Sequence, residues 1–91
     1  MGLKIRQSSQ FKRDVKRLKR QGKNLSPLML VIETLATGES LAEGHRDHKL
    51  IGNWKGFREC HIQPDWLLIY RITENELQLA RTGSHAELFH K

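Results

Sequence analysis

Polar and hydrophobic residues alternate in four stretches of this chain, and such alternation predicts β-strands. The first stretch is short, residues 3–7 (LKIRQ), and the other three, FRECHIQ, DWLLIYRIT and ELQLART, fill most of residues 57–82. Pro64 and Asp65 favour a turn between the second and third stretches, and Glu74 and Asn75 separate the third from the fourth. We therefore predict that the last three strands form an antiparallel meander.

Two stretches between the first and second strands have the spacing of amphipathic helices. The first begins after Ser8 and Ser9, which suit the N-cap position, and Gly22 is suited to end it. Its narrow apolar stripe consists of Phe11, Val15 and Leu18. Pro27 suits the first turn of a second and much more apolar helix, LMLVIETLATG, which we expect to pack on the sheet.

Residues 39–56 have no regular periodicity and predict a long loop, held against the domain by Leu50, Ile51 and Trp54. A single helical turn is expected after Gly83. The elements follow the order β-α-α-β-β-β within one domain, residues 1–91. This order predicts an α+β fold in which two helices cover one face of a twisted antiparallel sheet, with the first strand paired into that sheet.

The positive charge of the chain is concentrated near its N-terminus. Residues 1–25 contain nine lysines and arginines and a single acidic residue, Asp14, whereas the remainder carries a net charge of −2. Such a surface favours a polyanion as partner, nucleic acid above all, because contacts to phosphate require charge rather than sequence-specific chemistry. The candidates on the first helix are Lys12, Arg13, Lys16, Arg17, Lys19 and Arg20.

Composition argues against several other classes of protein. The single cysteine, Cys60, cannot form an internal disulfide or a multi-cysteine zinc site, and its position in a strand indicates a buried, reduced thiol. No apolar stretch is long enough for a signal peptide or a membrane span. We therefore expect a cytoplasmic protein without membrane attachment.

Four ionisable residues are predicted to meet at one end of the sheet. His61 lies late in one strand and Asp65 opens the next, so the two flank the same turn. Alternate strands of a meander run in the same direction, so the end of the final strand, with Arg81, lies there as well. His85 follows four residues later, and His48, in the long loop, is a further candidate.

Such a cluster could cut RNA without a metal, because the 2′-hydroxyl of RNA can attack the neighbouring phosphate. Histidine can take the hydroxyl proton or protonate the departing 5′-oxygen. Arginine offers a fixed positive charge and donors for phosphate oxygens, and aspartate can orient an imidazole or accept a proton itself. Phe89 or Trp66 could stack on an unpaired base, for about 1–3 kcal/mol.

Structural interpretations of the same residues stay open. Arg81 could pair with Glu59 or Glu87, and Asp65 could serve only its turn. Trp66 and Trp54 suit packing, and His45 and His90 suit a structural position, either at the surface or hydrogen-bonded in the core. A zinc site built from His48, His61, Asp65 and His85 is a further alternative, although the chain has no H-E-x-x-H pair. A nucleic-acid-binding module with incidental histidines is another.

Two long stretches, DHKLIGNWKGFRECHIQPDWLLIY and LARTGSHAELF, resemble the YafQ-type toxins of the RelE/ParE superfamily, the toxic halves of bacterial type II toxin–antitoxin pairs. The resemblance implies a small α+β domain that enters the ribosomal A site and cuts messenger RNA within a codon, using no metal or other cofactor. ParE-like relatives, which poison DNA gyrase instead, give the non-nuclease alternative. By resemblance, the functional positions are His48, His61, Asp65, Arg81, His85 and Phe89, with Trp66 a weaker candidate.

Chemical type suggests a role for each position. His85 is expected to be the general acid, and Asp65 or His48 to take the 2′-hydroxyl proton. His61 and Arg81 would hold the phosphate, and Phe89 would pack on a base. The resemblance also implies partners: the 70S ribosome, whose RNA the first helix would contact, the mRNA, and a cognate antitoxin through which the pair binds operator DNA.

Overall fold

The computed structural model describes residues 2–89, and His90, predicted to have only a structural position, falls outside this range. Within these described residues there are five strands and three α-helices. The strands are β1 (Lys4–Gln7), β2 (His48–Lys49), β3 (Arg58–Gln63), β4 (Trp66–Ile72) and β5 (Glu76–Gly83), and the helices are α1 (Ser9–Arg20), α2 (Ser26–Ala36) and α3 (His85–Phe89). None of these helices is long and apolar enough to cross a membrane.

The predicted meander is confirmed, and the sheet has the order β1-β5-β4-β3-β2. Strands β3, β4 and β5 are antiparallel neighbours, and β1 joins the sheet as predicted. However, β1 runs parallel to β5, so the sheet is mixed rather than wholly antiparallel. The reason is topological: β1 lies at the edge beyond β5, and both strands begin at the same end of the sheet.

The segment predicted as a long loop is partly regular. Residues 43–45 and 52–54 form 3₁₀ turns, and between them β2 pairs with β3, with His48 opposite Glu59. Leu50 and Trp54 pack against the domain as expected, but the side chain of Ile51 is 88% exposed and anchors nothing. A two-residue strand is too short for an alternating pattern to reveal.

Both faces of the sheet bury apolar side chains. The face under α1 and α2 holds the larger cluster, which includes Phe11, Leu28, Leu68 and Tyr70. Cys60 is buried there, and burial raises the pKa of its thiol to about 12, as expected for an unreactive cysteine. The opposite face holds a smaller cluster of Leu67, Ile69 and Leu88, which leaves room for polar groups.

Beyond the end of β1, side chains at the start of α1 and within it hydrogen-bond to the free backbone groups of β5. Strand β1 pairs with β5 only as far as Leu79, and the backbone groups beyond it need other partners. The Ser8 hydroxyl donates to the Ala80 carbonyl at 2.7 Å, and the Thr82 amide donates to Asp14 Oδ2 at 3.1 Å. Asp14, only 2% exposed, is therefore a structural anchor, a role its setting among cations did not predict.

Candidate active site

Asp65 and His85 form a hydrogen-bonded pair at the predicted end of the sheet. Asp65 lies in the β3–β4 turn, and one of its oxygens accepts both the His85 amide, at 3.1 Å, and the His85 Nδ1–H, at 2.9 Å. The hydrogen bonds from His85 lower the pKa of Asp65, so the carboxylate is charged at neutral pH. Because a carboxylate only accepts, His85 carries a proton on Nδ1 and leaves Nε2 free for other chemistry.

His61 links this pair to a second ionisable group. Its ring centroid is 5.9 Å from that of His85, and its Nε2 is 3.8 Å from Glu59 Oε1. The pairing of β3 with β4 shifts register between His61 and Gln63, and such bulges re-aim side chains. The His45 ring donates to the His61 carbonyl at 2.7 Å, so His45 has a structural role at this bulge.

Glu59 is a further candidate site residue, which sequence reasoning treated only as an ion-pair partner of Arg81. It is buried, and its Oε1 lies 3.2 Å from His48 Nε2. Within the described residues its charged contacts are with His48 and His61, and with no lysine or arginine. The alternation of β3 could have revealed it, because Glu59 and His61 are two residues apart and share a face.

A potential metal-binding group exists, but it differs from the four-residue set considered above as an alternative to the metal-free prediction. His48, Glu59 and His61 each offer a ligand atom, and these atoms lie within 4.8 Å of one another. Two imidazoles and a carboxylate are a donor set that zinc and copper accept. Asp65 and His85 do not belong to this group, because they are paired with each other.

Arg81 departs from the predicted cluster. Arg81 lies opposite Ile69 in β4, and Ile69 lies opposite Glu59 in β3. The Arg81 backbone therefore shares with Glu59 the face of the sheet opposite to α1 and α2. Its guanidinium is turned toward α1, where it donates to Asp14 at 2.8 and 3.1 Å, and these hydrogen bonds raise its pKa. Among residues 2–89 no hydrogen bond or ion pair joins it to the histidines, because the buried carboxylate of Asp14 holds it.

The two aromatic candidates have different settings. The Phe89 ring is half-buried, with its centroid 6.3 Å from that of His85, so it borders that histidine, and its packing on a base stays a prediction. Trp66 is 2% exposed, and its indole N–H donates to the Thr82 hydroxyl at 2.9 Å. Its proposed stacking on a base is therefore wrong for this geometry, because the ring belongs to the core and is further covered by the ammonium of Lys23.

The basic helix α1 keeps most of its predicted surface. Five of the six candidate RNA-binding cations are exposed: Lys12, Arg13, Lys16, Lys19 and Arg20. Arg17 is the exception, because its side chain is half-buried and bonded to Asp14 and to the Thr82 carbonyl. We therefore assign Arg17 to the structure and not to the RNA-binding surface.

Comparison with known proteins identifies the family. The family model described as "Bacterial toxin of type II toxin-antitoxin system, YafQ" matches residues 3–90. The chain is 40% identical to the mRNA interferase toxin YafQ of Escherichia coli K12 over 86 residues, which cover 93% of this chain and 94% of that protein.

Solved structures agree with this match. A copper-bound mutant toxin from Helicobacter pylori is 46% identical with a TM-score of 0.91, and the match covers 96% of this chain and 99% of the other. The crystal structure of the E. coli DinJ–YafQ toxin–antitoxin complex matches at 38% identity with a TM-score of 0.90, over 98% of this chain and 99% of the other. The chain therefore belongs to the YafQ family of toxins from bacterial type II toxin–antitoxin systems.

Proposed function

We propose that this toxin is an endoribonuclease that cuts translated mRNA in the ribosomal A site by attack of the RNA 2′-hydroxyl on the adjacent phosphate. The observation that carries the proposal is the continuous row of contacts from His48 through Glu59, His61 and His85 to Asp65. Two ends of such a row can serve as base and acid for one phosphodiester. The similarity to a protein named mRNA interferase supports the same reaction.

His85 is the general acid in this mechanism. Asp65 holds Nδ1 and stabilises the positively charged imidazolium, so Nε2 can deliver a proton to the departing 5′-oxygen. Asp65 is then an orienting residue, and not the base that its chemical type also allowed. Half of the His85 side chain is exposed, so a substrate can reach it.

The group of His48, Glu59 and His61 takes the 2′-hydroxyl proton. Glu59 is a buried negative charge that stabilises whichever neighbouring imidazole receives the proton. His61 lies between Glu59 and His85, which puts it beside a phosphate that both ends of the row would contact. The Arg81 guanidinium is bound to Asp14 in this structure, so its positive charge would act on the phosphate only from a distance. Phe89 offers a half-exposed ring to a base next to the cut.

The exposed cations of α1 supply the contact with ribosomal RNA. All five lie on one short helix, and phosphate contacts of this kind depend on charge and weaken with salt. Since the family consists of toxins paired with antitoxins, and a YafQ structure is solved with DinJ, we propose that a cognate antitoxin blocks the toxin and carries the pair to operator DNA. The toxin acts in the cytoplasm, where the ribosomes are.

Message cleavage mapped by primer extension tests this function. Purified toxin is added to a reconstituted translation reaction, and the same mRNA without ribosomes is the control. We expect cuts within codons only when the message is translated. If translated message stays intact, the toxin is not a nuclease of this kind, and inhibition of DNA gyrase, the ParE-type activity, would be measured next.

A second proposed property is inhibition by a zinc or copper ion bound at His48, Glu59 and His61. The donor set fits zinc or copper, and a similar toxin structure holds copper. The metal would occupy the imidazoles that the reaction needs.

We expect Zn²⁺ to bind the free toxin at a single site in calorimetry and to stop cleavage at the same concentration. His48→Ala should weaken Zn²⁺ binding by at least about tenfold, as lost ligands and their supports do. A chelator that removes zinc and copper but leaves ribosomal magnesium should not lower the wild-type rate. Loss of cleavage on such chelation would contradict metal-independent catalysis.

A further inference from the structure

Arg17 stands apart from the other cations of α1 because its side chain turns toward the end of the sheet. Its Nη1 donates to Asp14 at 2.8 Å, and its Nη2 donates to the Thr82 carbonyl at 3.1 Å. Its Nε lies 2.9 Å from Glu87 Oε2, an ionic contact without hydrogen-bond alignment. One guanidinium thus joins α1, β5 and α3.

Glu87 has a second task at the start of α3. Its Oε1 accepts the Ser84 amide at 2.9 Å, and the Ser84 hydroxyl accepts the Glu87 amide at 3.2 Å, so the two residues form a capping box. The hydrogen bond from the Ser84 amide lowers the pKa of Glu87, which keeps the carboxylate charged at neutral pH. The same carboxylate therefore caps the N-terminus of α3 and binds this helix to Arg17.

Gly83 provides the space for this arrangement. A Cβ atom at residue 83 would lie 2.7 Å from Arg17 Nη2 and 2.9 Å from Glu87 Oε1, closer than such atoms approach. A side chain at residue 83 would therefore require the ends of the Arg17 and Glu87 side chains to shift. The absence of a side chain at Gly83 leaves space for Arg17 and Glu87 to meet where β5 passes into α3.

Helix α3 depends on these contacts for its position. It has only five residues, far fewer than an isolated helix needs for stability in water. It carries His85 at its first position and Phe89 at its last, both of which border the proposed reaction site. Its other attachments are the packing of Leu88 and Phe89, the largely exposed pair of His85 and Asp65, and a long hydrogen bond of 3.4 Å from Gln21 to Glu87.

We propose that Arg17 and Glu87 form a latch that positions α3, and that both are positioning residues for His85 and Phe89. The functional part of this inference rests on the proposed nuclease activity. Neither residue touches the reacting atoms. The latch fixes the angle at which α3 leaves the sheet, and a misplacement of about 1 Å at a reacting group can lower a rate by about a hundredfold.

Glu87→Gln is the most selective test, because the glutamine oxygen can still accept the Ser84 amide while the charge that holds Arg17 is lost. We expect kcat for cleavage of translated message to fall by about tenfold, with KM unchanged, because ribosome contacts lie elsewhere. Glu76→Gln is the matched control: it removes the same charge from an ion pair with Arg6 at the distant end of β5, and should leave kcat unchanged.

Arg17→Lys and the Arg17→Lys/Glu87→Gln double variant complete the set. If the residues act through each other, the double variant loses no more kcat than the more impaired single variant. A kcat for Glu87→Gln equal to wild type, or a change confined to KM, would overturn the positioning role.

Amide hydrogen exchange reports on the latch without any activity measurement. The Leu88 amide donates to the Ser84 carbonyl at 3.0 Å, so its exchange follows the opening of α3. We expect faster exchange in Glu87→Gln than in wild type or Glu76→Gln. Equal exchange in all three proteins would refute the latch even if the nuclease proposal holds. If Glu87→Gln exchanges faster but the wild-type toxin does not cleave message, only the nuclease proposal is refuted.

Discussion

Replacement of His85 by alanine is expected to lower the single-turnover rate of message cleavage by about 10²–10⁴-fold, the usual contribution of a general acid. The loss should fall on kcat, because the missing proton transfer stabilises only the transition state. The fold should survive, since the His85 side chain is 50% exposed and, among residues 2–89, hydrogen-bonds only to Asp65. Rapid-quench cleavage assays with a urea unfolding curve measure both quantities.

Two further variants sharpen this prediction. His85→Gln keeps an amide that can bond to Asp65 but cannot donate an acidic proton, so it should be as impaired as His85→Ala. Asp65→Asn keeps the imidazole and loses only its charged partner, so it should retain more activity than either. Wild-type cleavage by His85→Gln would show that the imidazole supplies no proton.

Replacement of Asp14 by alanine should destabilise the domain by about 3 kcal/mol, because loss of one partner leaves buried charges without compensation. The Asp14 carboxylate accepts from Arg81, from Arg17 and from the Thr82 amide, and all three would lose their acceptor. Urea unfolding measures the difference. Glu76→Ala, which breaks an exposed ion pair, is the matched control and should cost less than about 1 kcal/mol.

The stabilisation by Asp14 should depend on pH. Burial by itself raises the pKa of Asp14, but the hydrogen bonds from Arg81 and Arg17 outweigh it, so the folded pKa lies below the ordinary value of 3.8. The unfolded chain therefore binds the proton more readily, and the stabilisation is complete above about pH 5 and lost as pH falls through the folded pKa. If the difference in free energy of unfolding between wild type and Asp14→Asn increased as the pH is lowered, this sign would be contradicted.

The meeting of His61, Asp65 and His85 follows from the sequence because it depends only on the direction of neighbouring strands. The hydrophobic alternation fixes those strands, and Pro64 and Asp65 mark the turn. Strand β1 was less predictable, since a short alternating segment does not reveal whether its neighbour runs parallel or antiparallel.

The contact of Arg81 with Asp14 could not be predicted, because the two residues lie 67 positions apart and nothing local marks it. The contact of Arg17 with Glu87 is non-local as well, whereas the Arg17–Asp14 pair joins neighbouring turns of one helix. Trp66 was ambiguous for a similar reason: its indole N–H bonds to Thr82, a partner in another strand. Glu59 could have been found, since it shares a face with His61, but the buried position of a carboxylate is visible only in the folded chain.

The chemistry of the cut ends tests the central claim most directly. Message cleaved by wild-type toxin on translating ribosomes is recovered, and the termini at each cut are identified by enzymatic end analysis. Attack by the 2′-hydroxyl predicts a 2′,3′-cyclic phosphate, or the 3′-phosphate to which it opens, on the upstream fragment and a free 5′-hydroxyl on the downstream one. A 5′-phosphate facing a 3′-hydroxyl would show that water attacks the phosphate instead, and would contradict the mechanism assigned to this row of histidines and carboxylates.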